Sequence, residues 1–143
     1  DIDYGFVGDV VSVQADVFST LAANHFVPVL CAITHNKEGQ LLNTNADTIA
    51  AQVAIALSNT FDVKLFYCFE HAGVLHDIST PDKVMETLTE AQTHTFVAEG
   101  VIHQGMVPKL HNGFDALKNG VNEVIISNIN ALTNTNAPKI TLQ

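Results

Sequence analysis

A chain of 143 residues, 47% of them hydrophobic, has enough apolar material for one ordinary core and is expected to fold as one domain. Fifteen Asp and Glu against six Lys and no Arg leave a net charge of −9, which argues against a nucleic-acid or anionic-membrane surface. The lack of Arg also removes the side chain that clamps carboxylates and phosphates bidentately, so any anion bound here is met by Lys, helix N-termini or backbone N–H groups.

Phe6 to Val13, rich in Val and Gly, reads as a strand or extended entry. Val13, Val17, Phe18 and Leu21 then recur at helical spacing through Asn24. Phe26 to Ile33 is an apolar run of strand length with Pro28 near its start. Asn36-Lys37-Glu38-Gly39 is a turn cluster that can close a hairpin with Gln40 to Leu42. Asn45 to Leu57 is Ala-rich and apolar nearly all round, the pattern of a helix buried on most faces. Asp62 to Phe69 follows as a buried strand. Asp77 to Asp82 reads as a loop, with a helix from about Asp82 to Ala91 and a second short one ending at Gly100.

After Gly105 comes the clearest helix: Pro108 fits its first turn, Val107, Leu110, Phe114 and Leu117 hold 3-4-3 spacing, and Asn119-Gly120 stops it. Val124 to Ser127 and Lys139 to Leu142 close the chain as strands, with Asn128 to Asn136 as a surface loop. Strands alternating with helices predict an α/β fold, a mostly parallel open sheet with helices on both faces. Cys31 and Cys68 sit in apolar runs and read as buried free thiols, and the seven His show no zinc spacing. No apolar run approaches the roughly 18 residues of a membrane span, and no basic, apolar leader opens the chain. A cytoplasmic protein is expected. Because the chain begins at Asp1, with a strand-like run close behind, it is also expected to start inside a longer protein.

Three stretches could carry chemistry. Asn43-Thr44-Asn45-Ala46-Asp47 opens the Ala-rich helix, where it either caps the helix or faces an anion. If the helix includes both, Asn43 and Asp47 share a face. Glu70-His71-Ala72-Gly73-Val74-Leu75 follows a strand, which makes it a wall of a site at the strand's carboxyl end or an ordinary turn. Gly100-Val101-Ile102-His103-Gln104-Gly105-Met106-Val107-Pro108-Lys109 leads into a helix whose first turn carries a Lys. That arrangement suits a phosphate held by N–H groups and one mobile cation, although a lone helical Lys is ordinarily solvated surface. A cation set against the helix dipole needs a reason.

Together with Asp3-Tyr4-Gly5-Phe6-Val7-Gly8-Asp9-Val10-Val11, and in this order, the Asn-x-Asn-Ala-Asp run and the Gly105-Met106-Val107-Pro108-Lys109 run resemble the C-terminal half of the amino-acid kinase family, on its acylglutamate-phosphorylating branch. The likeness covers nearly the whole chain. It implies ATP-dependent phosphorylation of the side-chain carboxylate of N-acetyl-L-glutamate or N-succinyl-L-glutamate, a step of arginine biosynthesis, with Mg²⁺ bridging phosphates. By motif, Asn43 would hold the amino-acid substrate, Asp47 would orient the catalytic lysines, and Lys109 would stabilise the transferring phosphoryl group. Glu70, His71, Ala72, Gly73, Val74 and Leu75, with Val101, Ile102 and His103, would line the nucleotide pocket.

The family usually carries Asp where Glu70 stands, and His71 and Ala72 replace a Val and a small residue. The family's N-terminal half, which supplies a Lys, a Gly-Gly turn and a substrate-gripping Arg, is not in this sequence. Residues 1–143 are therefore read as the C-terminal nucleotide-binding portion, inactive alone, from a protein that is commonly dimeric. The alternatives are another amino-acid kinase, with carbamate, aspartate or glutamate as acceptor, and a non-catalytic nucleotide-binding fragment.

Overall fold

The computed structural model describes residues 3–69, 85–102, 105–133 and 140–143. The chain enters as extended backbone rather than as a strand, and Val7 forms a bridge to Asn43. Helix α1 (Ala15–Ala23) follows as expected, but none of its residues is buried. Phe26 to Ala32 forms no ladder and is largely exposed, so the strand expected over Phe26 to Ile33 reduces to β1 (Ile33–His35). Pro28 has no N–H to donate, and no other strand of the described residues lies beside that run.

β1 pairs antiparallel with β2 (Leu41–Asn43), Ile33 opposite Asn43. The turn between them is the Asn36–Gly39 cluster: Asn36 Oδ1 accepts from the N–H of Glu38 at 2.9 Å and of Gln40 at 3.2 Å, and Gly39 takes φ +95°.

Helix α2 (Ala46–Ser58) is capped by Asn45, whose Oδ1 accepts from the N–H groups of Asp47 at 2.8 Å and Thr48 at 3.1 Å. Only Ala51 and Ala54 are fully buried on it, fewer than its composition suggested. β3 (Lys64–Cys68) alternates, with Leu65 and Tyr67 buried and Lys64 and Cys68 exposed, so one face rather than both is covered. The same alternation corrects the expectation for Cys68. Both cysteines are free, but both are exposed, Cys68 at the open end of β3 and Cys31 in the unpaired run.

Where a helix was expected to reach Ala91, Thr87–Leu88 is instead the short strand β4, and α3 (Glu90–Ala98) begins only after Thr89. Two local choices decide this. Leu88 is completely buried and pairs with Leu142, while Thr89 and Gln92 form a reciprocal capping box that fixes the helix start one residue later. Residues 77–84 lie outside the described residues.

α4 (Val107–Lys118) has Pro108 in its first turn and Gly120, at φ +100°, just beyond its end. β5 (Glu123–Ser127) and β6 (Ile140–Leu142) complete the sheet, and part of the expected surface loop is a 3₁₀ turn at Ile129–Leu132 with Ala131 buried.

The four-stranded sheet has the order β3-β5-β6-β4. β3 runs parallel to β5 and β4 to β6, while β5 and β6 are antiparallel, so the sheet is mixed and mostly parallel. Its core is Leu88, Leu110, Val124, Ile126 and Ile140, all fully buried. α4 presses directly on it: a Cβ at Gly113 would lie 2.6 Å from Leu142 Cδ1. α2 lies alongside α4 and parallel to it. Asp47 meets Lys109 at one end, and the Ser58 hydroxyl donates to the Asn119 carbonyl (3.3 Å) at the other.

Candidate functional site

The parallel packing of α2 and α4 brings two helix N-termini side by side at the carboxyl ends of β3 and β5. Lys109, the third residue of α4, reaches across to Asp47, the second of α2. Its Nζ lies 2.8 Å from Oδ1 and 2.7 Å from Oδ2, a two-pronged ion pair whose side chains are 17% and 22% exposed. The pair answers the objection raised by the sequence. Asp47 is favourable against the dipole of α2 and supplies the countercharge that a cation at the start of α4 lacks. The contact fixes where the ammonium is held.

Two neighbours frame the pair. Tyr67, on the face of β3 turned toward α2, donates its hydroxyl to the Asp47 main-chain carbonyl at 2.9 Å, and its ring centre lies 5.9 Å from Lys109 Nζ. Burial first, and the nearby Asp47 charge second, push the Tyr67 phenol well above its ordinary range, so it stays a neutral donor. Asn112, one turn after Lys109, donates to the Thr48 hydroxyl at 3.3 Å and ties the same two helices.

Lys109 also faces a cavity of about 580 Å³, lined besides by Cys68 and Phe69 from the end of β3 and by Asn128, Ile129 and Asn130 from the end of β5. Asn128 caps the 3₁₀ turn there, its Oδ1 accepting from the Asn130 N–H at 3.1 Å. Parallel α/β sheets take their ligands beyond the strands' carboxyl ends, and two helix N-termini beside one ammonium at that place suit an anion. The chain has no Arg to contribute there.

The remaining candidates are placed less directly. Asn43 is the last residue of β2, with its N–H donating to the Phe6 carbonyl at 2.8 Å and its carbonyl accepting from Gly8 at 3.0 Å. It lies outside α2 and does not share a helix face with Asp47; the cap is Asn45. Val101 is half-buried and Ile102 belongs to the core, so a ligand near Ile102 would meet its backbone rather than its side chain. Both their N–H groups donate to the Phe96 carbonyl, at 2.9 and 3.1 Å. Glu70, His71, Ala72, Gly73, Val74, Leu75 and His103 lie outside the described residues. Sequence reasoning missed Tyr67 and Asn112. The signals were present, since Tyr67 is two residues from Leu65 on one strand face and Asn112 is three from Lys109 on one helix face.

The comparisons with known proteins agree with this α/β fold. The chain belongs to the amino acid kinase family, whose model matches residues 1–128. It is 47% identical over 140 residues to the acetylglutamate kinase of Bacteroides thetaiotaomicron, covering 98% of this chain and 54% of that protein. The crystal structure of smu.665 from Streptococcus mutans superposes with a TM-score of 0.77 at 32% identity, over 96% of this chain and 51% of that one. Carbamate kinase from Giardia lamblia bound to AMP-PNP, at 18% identity and a TM-score of 0.63 over 92% of this chain and 50% of that one, shares the fold. The chain spans about half the length of the curated relatives it matches. Among the described residues, no helix is long and apolar enough to cross a membrane.

Proposed function

We propose that this chain is the nucleotide-binding half of a kinase that phosphorylates the side-chain carboxylate of an N-acyl-L-glutamate, N-acetyl-L-glutamate foremost, using ATP. The observation that carries this reading is the Asp47–Lys109 pair at the mouth of the cavity. In the reaction, a carboxylate oxygen of the substrate attacks the γ-phosphorus of ATP. The bond from that phosphorus to the bridging oxygen breaks, giving an acyl phosphate and ADP. The substrate is its own nucleophile, so the protein's task is to position the reactants and neutralise charge.

Lys109 meets the oxygens of the transferring group, and Asp47 keeps its ammonium aimed there. The N-termini of α2 and α4 add positive potential at the same place. Asn43, at the end of β2, holds the amino-acid substrate. By the family resemblance, residues 70–75 and 101–103 would line the nucleotide pocket. Mg²⁺ would be held on the nucleotide's phosphates and supply countercharge there. The assembled protein is read as a cytoplasmic homodimer in arginine biosynthesis.

The test is a coupled ADP-release assay with N-acetyl-L-glutamate and N-succinyl-L-glutamate, run on this chain and on a polypeptide of the relatives' length that contains it. The longer polypeptide turns over and the 143-residue chain alone does not. In the longer one, Lys109→Ala lowers kcat by roughly 100-fold or more while ATP affinity moves only a few-fold, the mark of a contact made mainly in the transition state. Unchanged kcat would make Lys109 a solvated lysine. Calorimetric ATP binding without transfer, even at full length, would favour a non-catalytic nucleotide-binding module.

A further inference from the structure

Resting on the kinase reading above, we propose that Tyr67 is a positioning residue, which fixes the Asp47–Lys109 pair by holding the Asp47 backbone with its hydroxyl and the Lys109 ammonium over its ring. The pair joins α2 to α4, and both partners could drift if only their own helices held them. Lys109 in particular has a four-carbon stem with several rotatable bonds, so one ion pair leaves its ammonium free to swing around the carboxylate. Tyr67 is the side chain of β3 that touches both partners: its hydroxyl lies 2.9 Å from the Asp47 carbonyl and its ring centre 5.9 Å from Lys109 Nζ. A cation within about 6 Å of an aromatic centroid is attracted to the ring face. The carboxylate and the ring thus fix the ammonium from two directions, which a carboxylate alone does not do.

The hydroxyl is not there merely to fill space. At 4% exposure Tyr67 is a core residue, and Phe or Leu would pack in such a position with no polar atom to satisfy. The carbonyl of a residue inside a helix already accepts the N–H four residues on, so the ladder of α2 does not need the phenol. What the extra bond adds is a tether from the sheet to the one turn of α2 that carries the carboxylate. The raised titration of the phenol keeps it a donor throughout the ordinary pH range.

The experiment uses Tyr67→Phe and Tyr67→Leu in the longer polypeptide of the kinase assay, with two readouts. The first is the NMR shift of the Lys109 side-chain protons, which the ring moves upfield. Tyr67→Phe retains that shift and Tyr67→Leu abolishes it. The second is the division between kcat and the KM for ATP. Loss of one hydrogen bond in Tyr67→Phe lowers kcat by about 3- to 10-fold, with KM changed less than about 2-fold. Tyr67→Leu falls further.

If both variants keep the parent's kcat and Lys109 shift and only melt earlier, Tyr67 is a packing residue and the proposal is overturned. If the parent itself phosphorylates no acylglutamate, the kinase reading fails separately, and the Lys109 resonances decide the positioning role alone. Should Tyr67→Leu not fold, Tyr67→Phe, which keeps the ring and nearly all the volume, still carries the kcat test.

Discussion

From Thr44 onward the chain closes a continuous core around β3, β5 and α4, whereas no described residue before Thr44 is fully buried. Apolar content does not account for this, since 22 of the 43 residues before Thr44 are hydrophobic against 45 of the 100 from Thr44 onward. Val11, Val27 and Val29 are as hydrophobic as Val124, yet they are 99%, 86% and 94% exposed while Val124 is completely buried. The difference teaches that hydrophobic sequence supplies a driving force but burial needs a second surface. In the later region, strand faces find helices. In the earlier region, α1 lies against α2 but buries no residue fully, and the Phe26 to Ala32 run has no strand beside it among the described residues. The candidate site stands on the well-packed side, with Asp47, Tyr67 and Lys109 each on an element that contributes to the core.

Substitutions ordered by expected effect can break or sharpen that contrast, each read as stability from denaturant unfolding of the chain. Leu110→Ala empties a fully buried position beneath α4 and costs about 2–5 kcal/mol. Gly113→Ala pushes a methyl against Leu142 and Val124. Overpacking of that kind costs about 1–3 kcal/mol, and the better helix propensity of Ala returns about 1 kcal/mol, so a net loss of up to about 2 kcal/mol is expected. Asn45→Ala removes the cap that feeds the Asp47 and Thr48 N–H groups and costs about 1 kcal/mol. Val29→Ser, on the exposed run, changes stability by less than about 0.5 kcal/mol. A Val29→Ser loss as large as that of Leu110→Ala would dissolve the distinction between the two regions. In a polypeptide of the relatives' length, where other chain is available to cover that run, the Val29→Ser cost rises and the comparison sharpens.

Much of the later region was legible. The 3-4-3 spacing of Val107, Leu110, Phe114 and Leu117 gave α4 to within a residue, and the Ala-rich run gave α2. The misses share one cause. Phe26 to Ile33 and Thr87–Leu88 are short apolar segments whose state depends on whether a neighbouring strand offers a ladder. Leu88 found one in Leu142 and became strand against a helical expectation, while Phe26 to Ala32 found none and stayed unpaired. Cys68 was misjudged for a related reason, because an apolar run does not tell which side of a strand is covered.

By itself, the sequence determined the helices that carry their own periodicity and stops, the turn at Asn36–Gly39, and the residues on which the family likeness rests. It also limited the cations with which this chain can meet an anion, because its six basic residues are all Lys. Only the tertiary structure decided that Asp47 and Lys109, 62 positions apart, form one pair, that Tyr67 touches both, and that α2 and α4 run parallel with their N-termini together. Helical periodicity and capping are local, set within a few residues by backbone geometry. Which helix meets which is settled by the sheet order β3-β5-β6-β4, and no window of the sequence contains that.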